Sequence, residues 1–418
     1  MADRQRINIR LVAFFIAAIF VFPVFFFKTG AVSLWASEKP KTHLSSNESL
    51  RSREKYRDWR EQRKGSRRAT VKKIGSVKLK KSTFWNKKPF QFSTPLVTDS
   101  MLFIGVDAGF FYGVDANKVK KRWQYKTEGA VHSQAGIEGD VVYFGDEKGY
   151  AYALSSADGH EIWKTFVDYP ILTTPLLISD RIYYVTDTGR LIALRKDTGT
   201  EVMRSETIDK NIGFSVKRAS SPVWTNGIIL FGTSTGTLMA MRENGNVAWV
   251  KQLGDRQQMV YDLDNRPLVD GGRIYVATAD RNVFCVDQSG GNIIWSTPET
   301  GGVNDLIIGD GKLYATGSGI LSAINPSDGS VIWEQDFEIP EISSPASSNR
   351  IIAVATASGG KLYLVDDEKG DIMYERAIKG GSFGDPTFVG DRLYIITNTG
   401  KLYGFLVKER PAKTPKKG

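Results

Sequence analysis

Past the first hundred residues, short apolar runs alternate with polar turns, and none is longer than a single strand. The clearest stretch is Val141-Val142-Tyr143-Phe144, a turn at Gly149, then Tyr150-Ala151-Tyr152-Ala153-Leu154, a second turn at Gly159 and Ile162-Trp163. Runs this short, rich in valine, isoleucine and aromatics and bounded by glycine, read as β-strands. The whole phrase then repeats. Its tryptophan position returns as Trp85, Trp123, Trp163, Met203, Trp249, Trp295, Trp333 and Tyr374, at intervals of 38, 40, 40, 46, 46, 38 and 41 residues. A period near forty with strand-type content predicts a propeller, because one such unit cannot bury its own faces. The expected fold is all-β: an eight-bladed β-propeller with four-stranded blades, its ring closed by an N-terminal strand.

Within each unit the residue types follow from the turns. Entry into the first strand often carries proline (Pro95, Pro175, Pro222, Pro267, Pro345, Pro386). The first turn carries glycine at Gly109, Gly149, Gly189, Gly236, Gly319, Gly360 and Gly400, with Arg281-Asn282 in its place in the fifth unit. A small residue follows four positions later: Gly113, Ala153, Ala193, Ala240, Cys285, Ala323 and Gly404, with Leu364 the exception. This pattern assigns Cys285 to a packing slot rather than to reactivity. The tryptophans belong to the last strand, where large aromatics are expected to pack between blades. The final unit, Asp391 to Val407, has no tryptophan strand after it, whereas Trp85 has no strands before it. The stretch Ser82–Phe92 is therefore expected to complete the eighth blade and remove an open edge.

The ends of the chain have a different character. Leu11 to Phe27 is an uncharged apolar stretch preceded by Arg4, Arg6 and Arg10, near the lower limit for crossing a bilayer. An uncleaved signal anchor is favoured over a cleaved signal peptide, since Leu34-Trp35-Ala36 makes a poor small-x-small site. The propeller is then expected outside the cytoplasm, although the basic flank Arg51–Lys81 opposes that orientation. Ser45-Ser46-Asn47-Glu48 reads as a capping box opening a polar helix through about Lys64. Its bases suit either a solvated spacer or a segment lying on anionic lipid. The expected organisation is an anchor over 1–37, a basic, partly helical linker over 38–75, the propeller over 76–407 and a basic disordered tail over 408–418.

Charge sharpens this division. Residues 1–94 hold 22 Lys+Arg against 6 Asp+Glu, and residues 408–418 hold 5 against 1, so the segment between carries −10 of a chain whose net charge is +10. The acidic ring argues against nucleic-acid binding, which needs positive charge at the contact. A single cysteine excludes an internal disulfide or a cysteine-built zinc site, and the three histidines show no ligand spacing. No metal, cofactor or catalytic residue is expected.

The two intervals of 46 residues mark where function is expected. The extra length falls in Ser205–Ser221 and Val250–Arg266, at the same place in adjacent units, and insertions in repeats collect on one, often binding, face. The first contains Ile212-Gly213-Phe214-Ser215-Val216-Lys217-Arg218 and the second Tyr261-Asp262-Leu263-Asp264-Asn265-Arg266-Pro267. Apolar residues beside bases in one loop, and two carboxylates in the next, suit protein docking. Loop packing and turn capping would account for the same residues.

From Asp262 to Phe405, with its Asp262-x-Asp264-x-x-Pro267 loop and Gly302-Val303-Asn304-Asp305, the chain resembles the BamB family of outer-membrane assembly factors. Together with the repeat phrase, the likeness covers about residues 76–407. It implies a periplasmic, non-enzymatic scaffold that binds the POTRA region of the barrel-assembly protein BamA. Matched to the loops through which that family docks, the implied partner-binding residues are Phe214, Val216 and Lys217, with Asp262 and Asp264. Lysine at the basic position keeps charge but loses the bidentate fork of arginine. The family's lipidated cysteine has no counterpart, since no cysteine precedes Cys285; the apolar helix and basic linker are expected to replace it. A scaffold with a different envelope partner is the main alternative. A quinone-dependent dehydrogenase, similar in repeat, would require an adjacent cysteine pair that this chain lacks.

Overall fold

The computed structural model describes residues 67–79, 93–186, 188–206, 220–255, 262–279, 282–297 and 305–410. Every described element is a strand, and the strands form eight four-stranded antiparallel sheets. Seven blades are built from consecutive strands; the second, for example, is Gly136–Glu138, Val141–Gly145, Tyr150–Ser155 and Glu161–Phe166. We number the blades in chain order. The core sits between the blades. Phe103, Phe111 and Trp123 of blade 1 pack with Val142, Phe144 and Tyr152 of blade 2, and Phe111 stacks on Phe144 at 3.8 Å between ring centroids.

The repeated small residue and the repeated tryptophan turn out to be cross-strand partners. Gly113 lies opposite Trp123, Ala153 opposite Trp163, Ala240 opposite Trp249, Cys285 opposite Trp295 and Ala323 opposite Trp333. The slot is small because the indole lies over it: a Cβ added at Gly113 would sit 2.2 Å from the ring of Trp123. The exceptions conform, since Leu364 faces Tyr374 and Ala193 faces Met203. Each indole also reaches the following blade. Trp123 Nε1 donates to the carbonyl of Ser156 at 3.0 Å and Trp163 Nε1 to that of Lys196 at 2.8 Å. Their rings lie where a Cβ on Gly159 or Gly199 would stand, at 2.5 and 2.6 Å. Burying the ring while satisfying its N–H is what an interior tryptophan requires. Cys285 is buried, and burial pushes its thiol upward, as an inert packing residue should behave.

Closure departs from expectation. The ring is completed by Arg68–Lys78, which pairs antiparallel with Lys401–Arg410, from Arg68 opposite Arg410 to Lys78 opposite Lys401. Trp85 and the rest of Ser82–Phe92 lie outside the described residues, so the tryptophan does not mark this strand. The propeller thus begins at about residue 67, inside the segment 38–75 read as linker, and its last strand runs past 407 to Arg410. The reason is a change of partners at this seam. Opposite Gly404 stands Gly75, not a tryptophan. Where Gly159 stands in the second turn of blade 2, blade 1 has Val119, held at φ 51. Its amide donates to the carbonyl of Asp115 just as that of Gly159 does to Ser155. A Cβ on Gly404 would meet Val119 Cγ2 at 2.6 Å, and one on Gly75 the carbonyl of Lys118 at 2.6 Å. Here the next blade supplies the side chain and the outer strand the hollow.

Just before the closing strand, Arg67 forks onto Glu409 at 2.5 Å and reaches Asp366 at 3.0 Å and Asp367 at 3.1 Å. Both aspartate side chains are 4% exposed. Arg67→Ala is expected to cost about 1–2 kcal/mol, below the ~3–5 typical of breaking a buried pair. Asp367 would keep Lys312 and Arg350, and Asp366 the amides of Glu368 and Lys369. A urea titration would show the lower midpoint without a change in slope. Hydrogen bonding from Arg67 holds the Glu409 carboxyl below its ordinary range. That contribution is complete above the unfolded glutamate pKa and is lost as pH falls through the lowered folded value.

The expected apolar anchor Leu11–Phe27, the capping-box helix and the tail 411–418 lie outside the described residues. Among those described, no helix is long and apolar enough to cross a membrane.

Candidate functional site

In an up-and-down blade, the turn between the second and third strands and the connection from the outer strand to the next blade share one end. The glycine turns at Gly149, Gly189, Gly236 and Gly400 and the two enlarged connections therefore crowd the same end of the ring. The glycines are needed there: Gly149 has φ 85, and a Cβ on it would stand 2.8 Å from the carbonyl of Tyr169 in the connection behind it.

The enlarged connections are clamped at their bases. Ser205, first residue after the outer strand of blade 3, closes the sheet through its amide to Leu191 O at 2.9 Å and accepts the amide of Leu191 on its Oγ at 3.0 Å. In blade 4 the amides of Leu253 and Gly254 both donate to Gly236 O at 2.9 Å, and that of Leu263 to Thr233 O at 3.0 Å. Between these contacts lies a chain of buried hydroxyls, Thr233 to Thr235 at 2.9 Å and Thr235 to Thr237 at 3.3 Å. Gln252 continues it, accepting from Thr237 at 3.0 Å and donating to the carbonyls of Thr235 at 2.9 Å and Gly254 at 2.8 Å.

The aspartate loop is pinned by the residue between its carboxylates. Leu263 is wholly buried and fills the hollow over Gly232, where an added Cβ would stand 2.0 Å from both Leu263 Cδ2 and its carbonyl oxygen. Asn265 is also buried; its side chain donates to Ala277 O at 2.6 Å and accepts from Ala277 N at 3.2 Å. Asp264 is half-buried at the surface. Asp262 differs from expectation: it has 0% exposure, so its carboxylate is enclosed and not open at the surface. Its carbonyl accepts the amide of Ala279 at 2.9 Å. Phe214, Val216 and Lys217 lie outside the described residues, as do Tyr261 and Gly302–Asn304.

One coupling went unread in the sequence. Ser220, which ends the first enlarged connection, donates from Oγ to the carbonyl of Asn265 in the second at 2.7 Å, both residues buried. Elsewhere the same position bonds within its own blade, as in Ser93 to Gly105 O at 2.6 Å or Thr173 to Val185 O at 2.9 Å. The signal was available: Ser93-x-Pro95, Thr173-x-Pro175, Ser220-x-Pro222, Asn265-x-Pro267 and Ser343-x-Pro345 repeat a hydrogen-bonding residue two before the proline. In these five units the residue between is polar: Thr94, Thr174, Ser221, Arg266 and Ser344. Arg266 is the cation among them, exposed and attracted by Asp305 in the next blade. Asp305 is the described part of the Gly302–Asp305 motif. Among the described residues, no group of three or more His, Cys, Asp or Glu is placed to hold a metal ion.

The fold and its clamped connections define an eight-bladed, tryptophan-docked propeller whose elaboration is confined to one end of two neighbouring blades. A family model described as outer membrane protein assembly factor BamB matches residues 112–335 and 317–410, and the chain belongs to that family. Among its relatives, the outer membrane protein assembly factor BamB of Yersinia pestis is 27% identical over 331 residues, spanning 74% of this chain and 83% of the relative. That of Escherichia coli strain K12 is 24% identical over 329 residues, spanning 74% and 83%. The crystal structure of BamB from Moraxella catarrhalis superposes with a TM-score of 0.70 at 20% identity, covering 81% of this chain and all of that one, 100%. A europium-containing methanol dehydrogenase shares the fold at a TM-score of 0.64 and 13% identity, covering 80% and 93%.

Proposed function

We propose that this protein is a non-enzymatic scaffold of outer-membrane barrel assembly, and that its enlarged connections bind the POTRA region of a BamA-like protein. The observation that carries the reading is the buried Ser220–Asn265 bond, which ties the described ends of the two enlarged connections to each other. Rigid presentation lowers the ordering cost of association. Phe214 and Val216 supply the apolar contact, and Lys217 and Asp264 the charges that fix register. Asp262 serves as a positioning residue behind them. Recruitment, not bond chemistry, is the mechanism, and no cofactor enters it. The propeller works in the periplasm of a Gram-negative-type envelope. Its anchor is the apolar segment Leu11–Phe27 in the inner membrane, and the basic segment following it contacts anionic lipid.

Reversing both charges, Lys217→Glu with Asp264→Arg, is expected to weaken binding of the purified POTRA region by at least about 30-fold, the scale of a lost hot spot. The unfolding midpoint is expected to stay within experimental error, so that weaker binding reports the contact and not the fold. Unchanged affinity in a calorimetric titration would remove the site assignment.

A further inference from the structure

Blade 3 carries, beside the first enlarged connection, an arginine held against an aromatic ring. Arg190 follows Gly189 in the turn at the loop-bearing end. Its guanidinium carbon lies 5.1 Å from the centroid of the Tyr169 ring, and that of Arg204 lies 5.5 Å from the same centroid. The two cations are held differently. Arg204 donates to Glu201 through Nε and Nη2, both at 2.7 Å, and to Val167 O at 3.1 Å. Arg190 has no carboxylate or carbonyl acceptor for its side chain among the described residues, and its buried Nε is left without one. At the matching position of blade 7, Lys361 is paired with Glu375 at 2.7 Å, whereas in blade 8 Lys401 lies over the Tyr403 ring at 5.0 Å, so the aromatic-held cation recurs and the pair with Arg204 is what blade 3 adds.

Tyr169 is fixed where it can do this. Its backbone lies against the turn at Gly149, and its ring extends to the arginines of the next blade. A guanidinium held by an aromatic face, and not by a carboxylate, keeps its terminal donors for an outside acceptor. Such a fork matches a carboxylate in two parallel hydrogen bonds. Location supplies the rest: Arg204 ends the outer strand, and Ser205 opens the connection bearing Phe214, Val216 and Lys217.

We propose that Arg190, stacked on Tyr169 beside Arg204, is a carboxylate-reading contact that takes an acidic side chain of the protein partner and extends the docking surface across blade 3. The inference rests on the scaffold reading above and adds a residue and a partner chemistry to it.

The test titrates the full chain, in detergent, with the purified POTRA region of the barrel-assembly protein from the same organism. Arg190→Glu is expected to raise the Kd about 30-fold and Arg190→Lys about 5-fold, since lysine keeps the charge without the fork. Tyr169→Ala should fall between them. Increasing salt should weaken the unaltered protein more than the Arg190→Glu variant. If Arg190→Glu fails to fold, as its thermal midpoint would show, Arg190→Lys and Tyr169→Ala carry the test. Should the unaltered protein not bind at all, the scaffold reading falls, and this proposal with it. Binding by the unaltered protein that is unchanged within about twofold in all three variants overturns this proposal alone. So does a variant that keeps the POTRA region but no longer floats with phosphatidylglycerol vesicles, which would make Arg190 a lipid contact.

Discussion

A fragment spanning residues 80–418 is expected to lose the cooperative unfolding transition that a fragment spanning 67–418 retains. The difference between the two is Arg67, the strand Arg68–Lys78 and the buried Leu79 that follows it. Without them the eighth blade has three strands, and Lys401–Arg410 becomes an open edge. The loss reaches both neighbours. Ala69 and Val71 pack with Leu364, Met373 and Phe405 towards blade 7, while Ile74 and Val77 pack with Val114 and Val119 towards blade 1. A domain of this kind has only about 5–15 kcal/mol of net stability, and removing a strand that seals two interfaces consumes it. Circular dichroism during a thermal ramp would show the contrast. Equal midpoints for the two fragments would mean that another segment closes the ring.

Trp163→Ala should be the most damaging single substitution among the repeat residues, costing about 3–5 kcal/mol. The indole of Trp163 is 8% exposed, packs at 6.1 Å from the ring of Tyr143, and binds the carbonyl of Lys196 in blade 3. Its removal leaves a cavity over Ala153 and an unmet carbonyl at the seam. Met203→Ala, at the matching place in blade 3, should cost less. Methionine adapts to its hollow and carries no N–H to the next blade, and a Cβ on Gly245 would meet its sulfur only at 3.0 Å. Chemical denaturation of the two variants would rank them, and a larger cost for Met203→Ala would contradict the docking role assigned to the indole.

The ring was legible in the sequence because tryptophan, glycine and small residues each answer a local demand that recurs in every blade. The indole needs a hollow on its own sheet and a glycine on the next one, so three positions rise and fall together. Cys285 was readable for the same reason. The closing strand was not, because at that one seam the side chain and the hollow exchange places. Gly75 is no tryptophan, and Val119 stands where blades 2 to 7 have a glycine. A pattern built on large residues pointed to Trp85 instead.

The candidate site was legible only as length. Two intervals of 46 residues located the enlarged connections, but an acidic residue in a loop does not reveal which way it faces. Asp262 and Asp264 flank Leu263, and the burial of that leucine against Gly232 places the three together without deciding their exposure. Asp262 is the one enclosed by the fold. Arg190 carried no signal at all. Its significance comes from Tyr169, contributed by the preceding connection, and from the carboxylate that Lys361 finds in blade 7 and that Arg190 does not find among the described residues.

The central claim is that the connection containing Val216 touches the barrel-assembly protein. Photocrosslinking from a reactive residue at Val216 in living cells, followed by mass spectrometry of the captured product, tests it directly. The account predicts capture of the BamA-like protein through its POTRA region, and loss of that product in the Lys217→Glu, Asp264→Arg protein. Capture of a different envelope protein, with none of the barrel-assembly protein in the product, would contradict it.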